Sequence, residues 1–334
     1  MEKIKVMISF DIEFNINGAF SNPDNYAPLG AASLVREHAG QDHGLGFALA
    51  CLKRYQLRGT FFLETLCSHW FGIAEMKKIA QSIAVDQHDL QLHLHPCWTT
   101  FKNPDWKTAV RKKNPDDSIA NRSAEELRAI IGDAKKLFIE ITDKNPKIFR
   151  TGNLEIDRQA FRIFYEQGLK YSSSLGAAGT GYADETLNLH NGVHEIEGIT
   201  EIPVSCYLSK IPNKGWRLFT IPGSSTKEIE HLLNFAYQHQ ISPIVILVHA
   251  SDFSPQSGHS QPQFKPNHFN QDRFEFLCSF LAKNMQRFST LTFEEFCADK
   301  PATTGTAMPA LSAPISGALL RILQNNVLPK IGVN

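Results

Sequence analysis

The chain of 334 residues lacks a net charge, since its 34 lysines and arginines are matched by 34 aspartates and glutamates. A balanced chain builds no long-range field, so neither nucleic acid nor an anionic membrane is an expected partner. It also lacks an apolar run long enough for a membrane-spanning helix. Six cysteines are present (Cys51, Cys67, Cys97, Cys206, Cys278 and Cys297), yet none falls in Cys-x-x-Cys spacing. That scatter argues against a disulfide framework or a thiolate zinc site and predicts reduced, structural thiols. Met1-Glu2-Lys3-Ile4-Lys5 leads straight into a strand-like run with no secretory leader pattern, which makes the cytoplasm the expected compartment.

What is present is alternation. Strand-like segments at 4–10, 58–63, 89–95, 147–150, 170–172, 243–249 and 288–292 are interleaved with helix-like segments at 45–55, 73–83, 159–167, 226–239 and 271–286. Ser123-Ala124-Glu125-Glu126 is a capping box, and Leu127, Ile130, Ile131, Ala134, Leu137, Phe138 and Ile141 follow it at helical spacing. The pattern predicts an α/β architecture around a largely parallel sheet, with edge β-structure over 194–207. Two stretches stand outside it. Residues 15–41 are too long for a simple βα connection and rich in Gly, Asn and Pro, which suits a loop over a site. Residues 301–314 are rich in Pro, Ala, Thr and Ser, and 315–331 carry apolar residues at roughly helical spacing. The expected division is a domain over 1–299 and a linker with an amphipathic tail over 300–334, docked on its own domain or on a partner.

Chemistry enters at Asp89-Leu90-Gln91-Leu92-His93-Leu94-His95-Pro96. A strand repeats every two residues, so His93 and His95 share one face and Leu92 and Leu94 the other. Two imidazoles are half of a tetrahedral shell for zinc or a neighbouring divalent ion, and the remaining ligands must come from elsewhere. Functional residues of parallel α/β folds gather at the carboxyl ends of strands, where this chain places Asp11 and Glu13, His93 and His95, Arg150, and His249. Asp11 and Glu13 share a face, so one suits a metal and the other a proton. His43 and His69 read as structural; His88, at odd spacing from His93, should face away. Trp98, Phe14 and Phe20 are candidate sugar-stacking residues, and Asp252 a candidate neighbour of the site.

These strings, in this order, resemble the motifs of the polysaccharide deacetylases, the carbohydrate esterases with a NodB homology domain. Ser9-Phe10-Asp11-Ile12-Glu13 resembles the first motif, residues 88–93 the opening of the second, Phe149-Arg150-Thr151-Gly152 the Phe-Arg-Pro-Pro third, Leu247-Val248-His249 the last, and residues 291–296 the end of the domain. The resemblance implies a distorted (β/α)7 barrel with a divalent metal, zinc first, held by Glu13, His93 and His95. It implies Asp11 as general base, Arg150 as the group that orients it, and His249 as general acid. The family's second metal histidine stands four residues after the first, where this chain has Cys97; His95 or Cys97 completes the shell.

The implied function is metal-dependent hydrolysis of a linear amide, removing acetyl or formyl from an N-acylated amino sugar. The expected partner is a nucleotide sugar, a lipid-linked sugar or a glycan, because members with a Leu-His-Leu-His-Pro string look like proteins of bacterial lipopolysaccharide and O-antigen assembly. Two alternatives stand beside it: a hydrolase of cyclic amides or imides resembling allantoinase, and a non-catalytic carbohydrate-binding barrel.

Overall fold

Strand β1 (Ile4–Ile12) organises the molecule because its alternate residues belong to two different cores. Val6, Ile8, Phe10 and Ile12 join the larger apolar cluster beneath the helices, whereas Met7 joins a smaller one with Phe62, Ile148, Val245 and Leu247. A two-residue repeat buried on both faces is what a parallel sheet with one helical side and one enclosed side demands.

The computed structural model describes residues 1–177, 182–211, 215–304 and 308–331. The further strands of the main sheet and of the three-stranded sheet beside it are β2 (Thr60–Glu64), β3 (Asp89–Leu94), β4 (Ile148–Thr151), β5 (Tyr171–Ser172), β6 (His194–Ile196), β7 (Ile199–Glu201), β8 (Cys206–Ser209), β9 (Trp216–Leu218), β10 (Ile244–His249), β11 (Phe288–Thr290) and β12 (Leu311–Ala313). The main sheet runs β10-β1-β2-β3-β4-β5-β7-β6, with β11 beside the start of β1. Its pairings are parallel except between β6 and β7. The chain leaving β7 continues beside β5, where Ile202 N donates to Ser172 O at 2.8 Å, and then reaches the edge strand β10, where Ser205 N donates to Val245 O at 3.0 Å. The seven parallel strands from β10 to β7, with β11 alongside β1, are curled into the distorted (β/α) barrel that the family resemblance implies. Residues 199–201, expected as edge structure, sit inside that parallel set, and of the 194–207 stretch only β6 ends the main sheet.

Helices α1 (Leu45–Arg54), α2 (Ile73–Ala84), α3 (Ala124–Thr142), α4 (Arg158–Glu166), α5 (Thr226–His239) and α6 (His268–Lys283) cover the outside, and α7 (Phe293–Ala298) follows β11. The Ser123–Glu126 capping box opens α3, and Ser225 with Glu228 forms another on α5. Helix α6 begins three residues before its expected start because Asn267 Oδ1 accepts the N–H of Asn270 at 3.1 Å.

The C-terminal segment is anchored. Strand β12 pairs with β8, and α8 (Ile315–Ile322) lies on α5, where Arg321 Nε reaches Glu228 Oε2 at 3.0 Å and Ser225 Oγ donates to Gly317 O at 2.8 Å. Its other side, Ile315, Leu319, Leu323 and Val327, is exposed. Among the described residues no helix is long and apolar enough to cross a membrane.

Candidate active site

The two-residue period that divides the cores also decides which polar side chains enter the barrel. Ser9 and Asp11 continue the inward face of Met7, His93 follows Asp89 and Gln91, Arg150 follows Ile148, and His249 follows Leu247. Strand register then places Asp11 opposite His249, and His93 between Glu64 and Arg150. Glu13 lies one inward step beyond Asp11, just past the end of β1. All six residues singled out in the sequence therefore meet at the carboxyl ends of neighbouring strands.

Arg150 is fully buried and engages all three guanidinium nitrogens. Nη1 donates to Asp11 Oδ1 at 2.7 Å, Nη2 to Ser9 Oγ at 3.0 Å and Ser173 Oγ at 2.9 Å, and Nε to Ser173 O at 2.8 Å. Its plane also sits over Phe62, 4.2 Å from the ring centre. Burial raises the Asp11 carboxyl, but Arg150, His93 and His249 together outweigh burial and hold it below its ordinary value. Across from it, His249 Nε2 lies 3.7 Å from Asp11 Oδ2 and 3.9 Å from Glu13 Oε1. Burial lowers His249, yet the carboxylates of Asp252, Asp11 and Glu13 leave it raised overall. Asp252 also fixes the turn after β10 by accepting the backbone N–H of His249 at 2.9 Å.

The donor set fits a divalent cation. His93 Nδ1 donates to the carbonyl of Arg150 at 2.9 Å, which fixes the tautomer and leaves Nε2 as the acceptor. That Nε2 is buried with no hydrogen-bond partner, 3.5 Å from Glu13 Oε2 and 4.0 Å from Asp11 Oδ2. His95 Nε2 is 2.7 Å from the same Glu13 oxygen. One donor atom each from Glu13, His93 and His95 lies within 4.8 Å of the others. Two imidazoles and one carboxylate suit zinc or another first-row divalent ion and leave room for water and substrate. Cys97 is outside this group: Pro96 ends the strand and starts a 3-10 turn over Pro96–Lys102, and burial beside Asp117 pushes the Cys97 thiol up.

Three features had no signal in the sequence. Asp117, from the aperiodic stretch before α3, approaches His95 Nδ1 to 2.6 Å and also accepts the N–H of Cys97. Glu64 at the end of β2 is buried, accepts the N–H groups of Leu66 and Cys67, and is raised by burial to about 7. Gly152 makes space for the displaced histidine, since an added Cβ would stand 2.4 Å from His95 Nδ1.

A cavity of about 280 Å³ opens beside the cluster, walled by Phe14, Asn15, Ser33, Arg36, Trp98 and Ser251. The long segment 15–41 thus supplies one wall. A second cavity of about 230 Å³ shares Asp11, Glu13, His95 and His249 and is bounded by Asn153, Leu154 and Leu218. Of the other candidates, Phe20 stacks on Phe101, His69 pairs with Asp133 at 2.7 Å, and His43 contacts Gln271 at 3.3 Å. His88 accepts the N–H of Gly59 away from the cluster.

No protein-family model and no curated protein matches the sequence. Among solved structures, the chain is similar to a protein from Mycobacterium smegmatis provisionally described as a polysaccharide deacetylase, at a TM-score of 0.52 and 14% identity over 92% of this chain and 96% of that one. It is also similar to a family 4 acetyl xylan esterase from Clostridium thermocellum, in complex with a cobalt ion, at a TM-score of 0.43 and 14% identity over 89% of this chain and 91% of that one. A carbohydrate esterase family 4 pseudoenzyme from Bacillus anthracis gives a TM-score of 0.43 and 12% identity over 88% of this chain and 65% of that one. The fold of the chain is that of the polysaccharide deacetylases.

Proposed function

We propose that the protein is a metal-dependent N-deacylase that removes acetyl or formyl from an N-acylated amino sugar, a cytoplasmic precursor of a bacterial surface polysaccharide. One observation carries this reading: a buried, partnerless imidazole nitrogen of His93 faces Glu13 and Asp11, with an arginine-held carboxylate and a second imidazole alongside. Glu13, His93 and His95 are the residues that would hold the ion. A divalent ion bound there supplies Lewis-acid polarisation of the amide carbonyl.

The remaining chemistry belongs to the side chains. Arg150 keeps Asp11 ionised and pointed inward, so Asp11 takes a proton from the water that attacks the amide carbon. His249 is shifted the opposite way and holds a proton on the far side of Asp11. It delivers that proton to the leaving nitrogen, giving a free amine and a carboxylate. Two titratable groups pushed apart in this manner divide into base and acid. Asp117 fixes the ring of His95 from behind, the usual service of a carboxylate to a ligating histidine. The proposed setting rests on the motif resemblance, in particular the Leu-His-Leu-His-Pro string.

The test is release of acetate or formate from a panel of N-acylated nucleotide sugars and glycans by zinc-loaded protein, with allantoin and cyclic imides as controls. Asp11→Asn is expected to lower the rate by roughly 10²–10⁴-fold while metal content stays stoichiometric. Hydrolysis of only the cyclic controls, or of nothing by protein that retains one metal per chain, would overturn the reading.

A further inference from the structure

Arg36 lies at the end of a short helix (Ala32–Val35) in the long segment after β1, and only 3% of it is exposed. It lines the same cavity as Asp11, Glu13, His95 and His249. Nη1 donates to Ser254 O at 2.7 Å, and Nε is buried with no hydrogen-bond partner. Among the described residues no carboxylate stands within 4 Å of its guanidinium. The anions that share the cavity are committed elsewhere: Asp11 to Arg150, Glu13 to His95, Asp117 to His95. Burial lowers the guanidinium and the charge of Asp252 raises it, for a net value of about 10, so it remains charged at neutral pH.

The counter-charge of Arg36 inside the chain is Asp252, which stands beyond 4 Å and is shared with His249, so the buried cation is only partly balanced, which is costly, and an anion entering the cavity would complete the pairing. The backbone adds to the cost. Arg36 has φ 50° and ψ 54°, the left-handed region that a non-glycine residue occupies only when its surroundings hold it there. The ring of Phe264, 5.1 Å from Cζ, covers one side of the guanidinium. What remains is a planar fork beside the catalytic cluster, suited to an anion that offers two oxygens.

We propose that Arg36 is an anion subsite of this cavity, so that the amino sugar taken there carries a phosphate or carboxylate group; this rests on the deacylase reading of the cluster. Calorimetric titration of the full chain, zinc-loaded, with N-acetylglucosamine, N-acetylglucosamine 1-phosphate and N-acetylglucosaminuronic acid tests it. At least one anionic probe is expected to bind tenfold or more tightly than the neutral sugar, and which one does so identifies the oxyanion. Arg36→Gln is expected to bring that probe to the affinity of the neutral sugar. Equal binding of all three probes by the native chain, or a preference that survives in folded R36Q, overturns the subsite. If R36Q does not fold, Arg36→Lys replaces it, with at least a threefold loss of preference expected and an unchanged preference counting against. Acyl release from the same probes is scored separately. Preference without release from these probes or from the panel of nucleotide sugars and glycans removes the deacylase reading and leaves the anion subsite, whereas release without preference does the reverse.

Discussion

Two arginines are buried at the mouth of this barrel, and they are opposites. Arg150 comes from the regular part of the fold, where strand parity sends it inward, and it meets a carboxylate, two hydroxyls and a carbonyl. Arg36 comes from an irregular segment, holds a strained backbone angle, and has one carbonyl for a hydrogen-bond partner, with the charge of Asp252 acting from beyond 4 Å. The first is a finished piece of machinery: its charge is neutralised within the chain, and it serves by holding Asp11. The second retains unused donor capacity in a cavity. Burial alone therefore does not separate a structural arginine from a binding one; the count of satisfied donors does.

The sharpest way to break this contrast is to remove Arg150. Arg150→Gln leaves Asp11 buried opposite a neutral amide, and a loss of about 3–5 kcal/mol in denaturant unfolding is expected, with activity falling alongside. A smaller effect comes from Glu201, whose carboxyl burial raises to about 7 against the pull of Ser172, the Leu175 and Ser174 N–H groups, and Arg150. A raised carboxyl contributes stability that is complete below its ordinary value of 4.5 and declines as pH climbs through about 7. Unfolding at pH 5 and pH 8 should show the native chain losing stability with rising pH, and Glu201→Gln should lessen that loss by up to about 3 kcal/mol. Next is Asp117→Asn, which leaves His95 in place but removes the charge behind it. Zinc affinity by competitive chelation is expected to fall by roughly 10–100-fold, and a variant that binds as tightly as the native chain would show that Asp117 only caps the following turn. Smallest of all, Arg36→Gln should shift unfolding by less than about 1 kcal/mol, because the cation it deletes has no ion pair within 4 Å to lose, only the longer-range pull of Asp252. A cost as large as that of Arg150 would erase the distinction between the two.

The third motif and the histidine pair teach a related lesson. From the chain, Thr151-Gly152 in place of two prolines and His95 in place of a later histidine look like independent departures. In space they are one. The His95 ring occupies the volume that a side chain at 152 would need, so the contracted spacing and the glycine belong together.

The sequence by itself determined the serial α/β order, the strand ends and the parity that turns Asp11, Glu13, His93, His95, Arg150 and His249 to one side. Those are consequences of a two-residue repeat and of local capping, both readable over a few neighbours. Only the tertiary structure decided the rest. That His95 and not Cys97 faces Glu13 depends on where Pro96 turns the backbone, and that Asp117 stands behind His95 depends on how an aperiodic loop packs 22 residues away. Whether Arg36 finds a partner depends on every carboxylate that crosses the cavity. Pairing is a three-dimensional tally of donors and acceptors brought together by the folded chain, and no periodicity in the sequence encodes it.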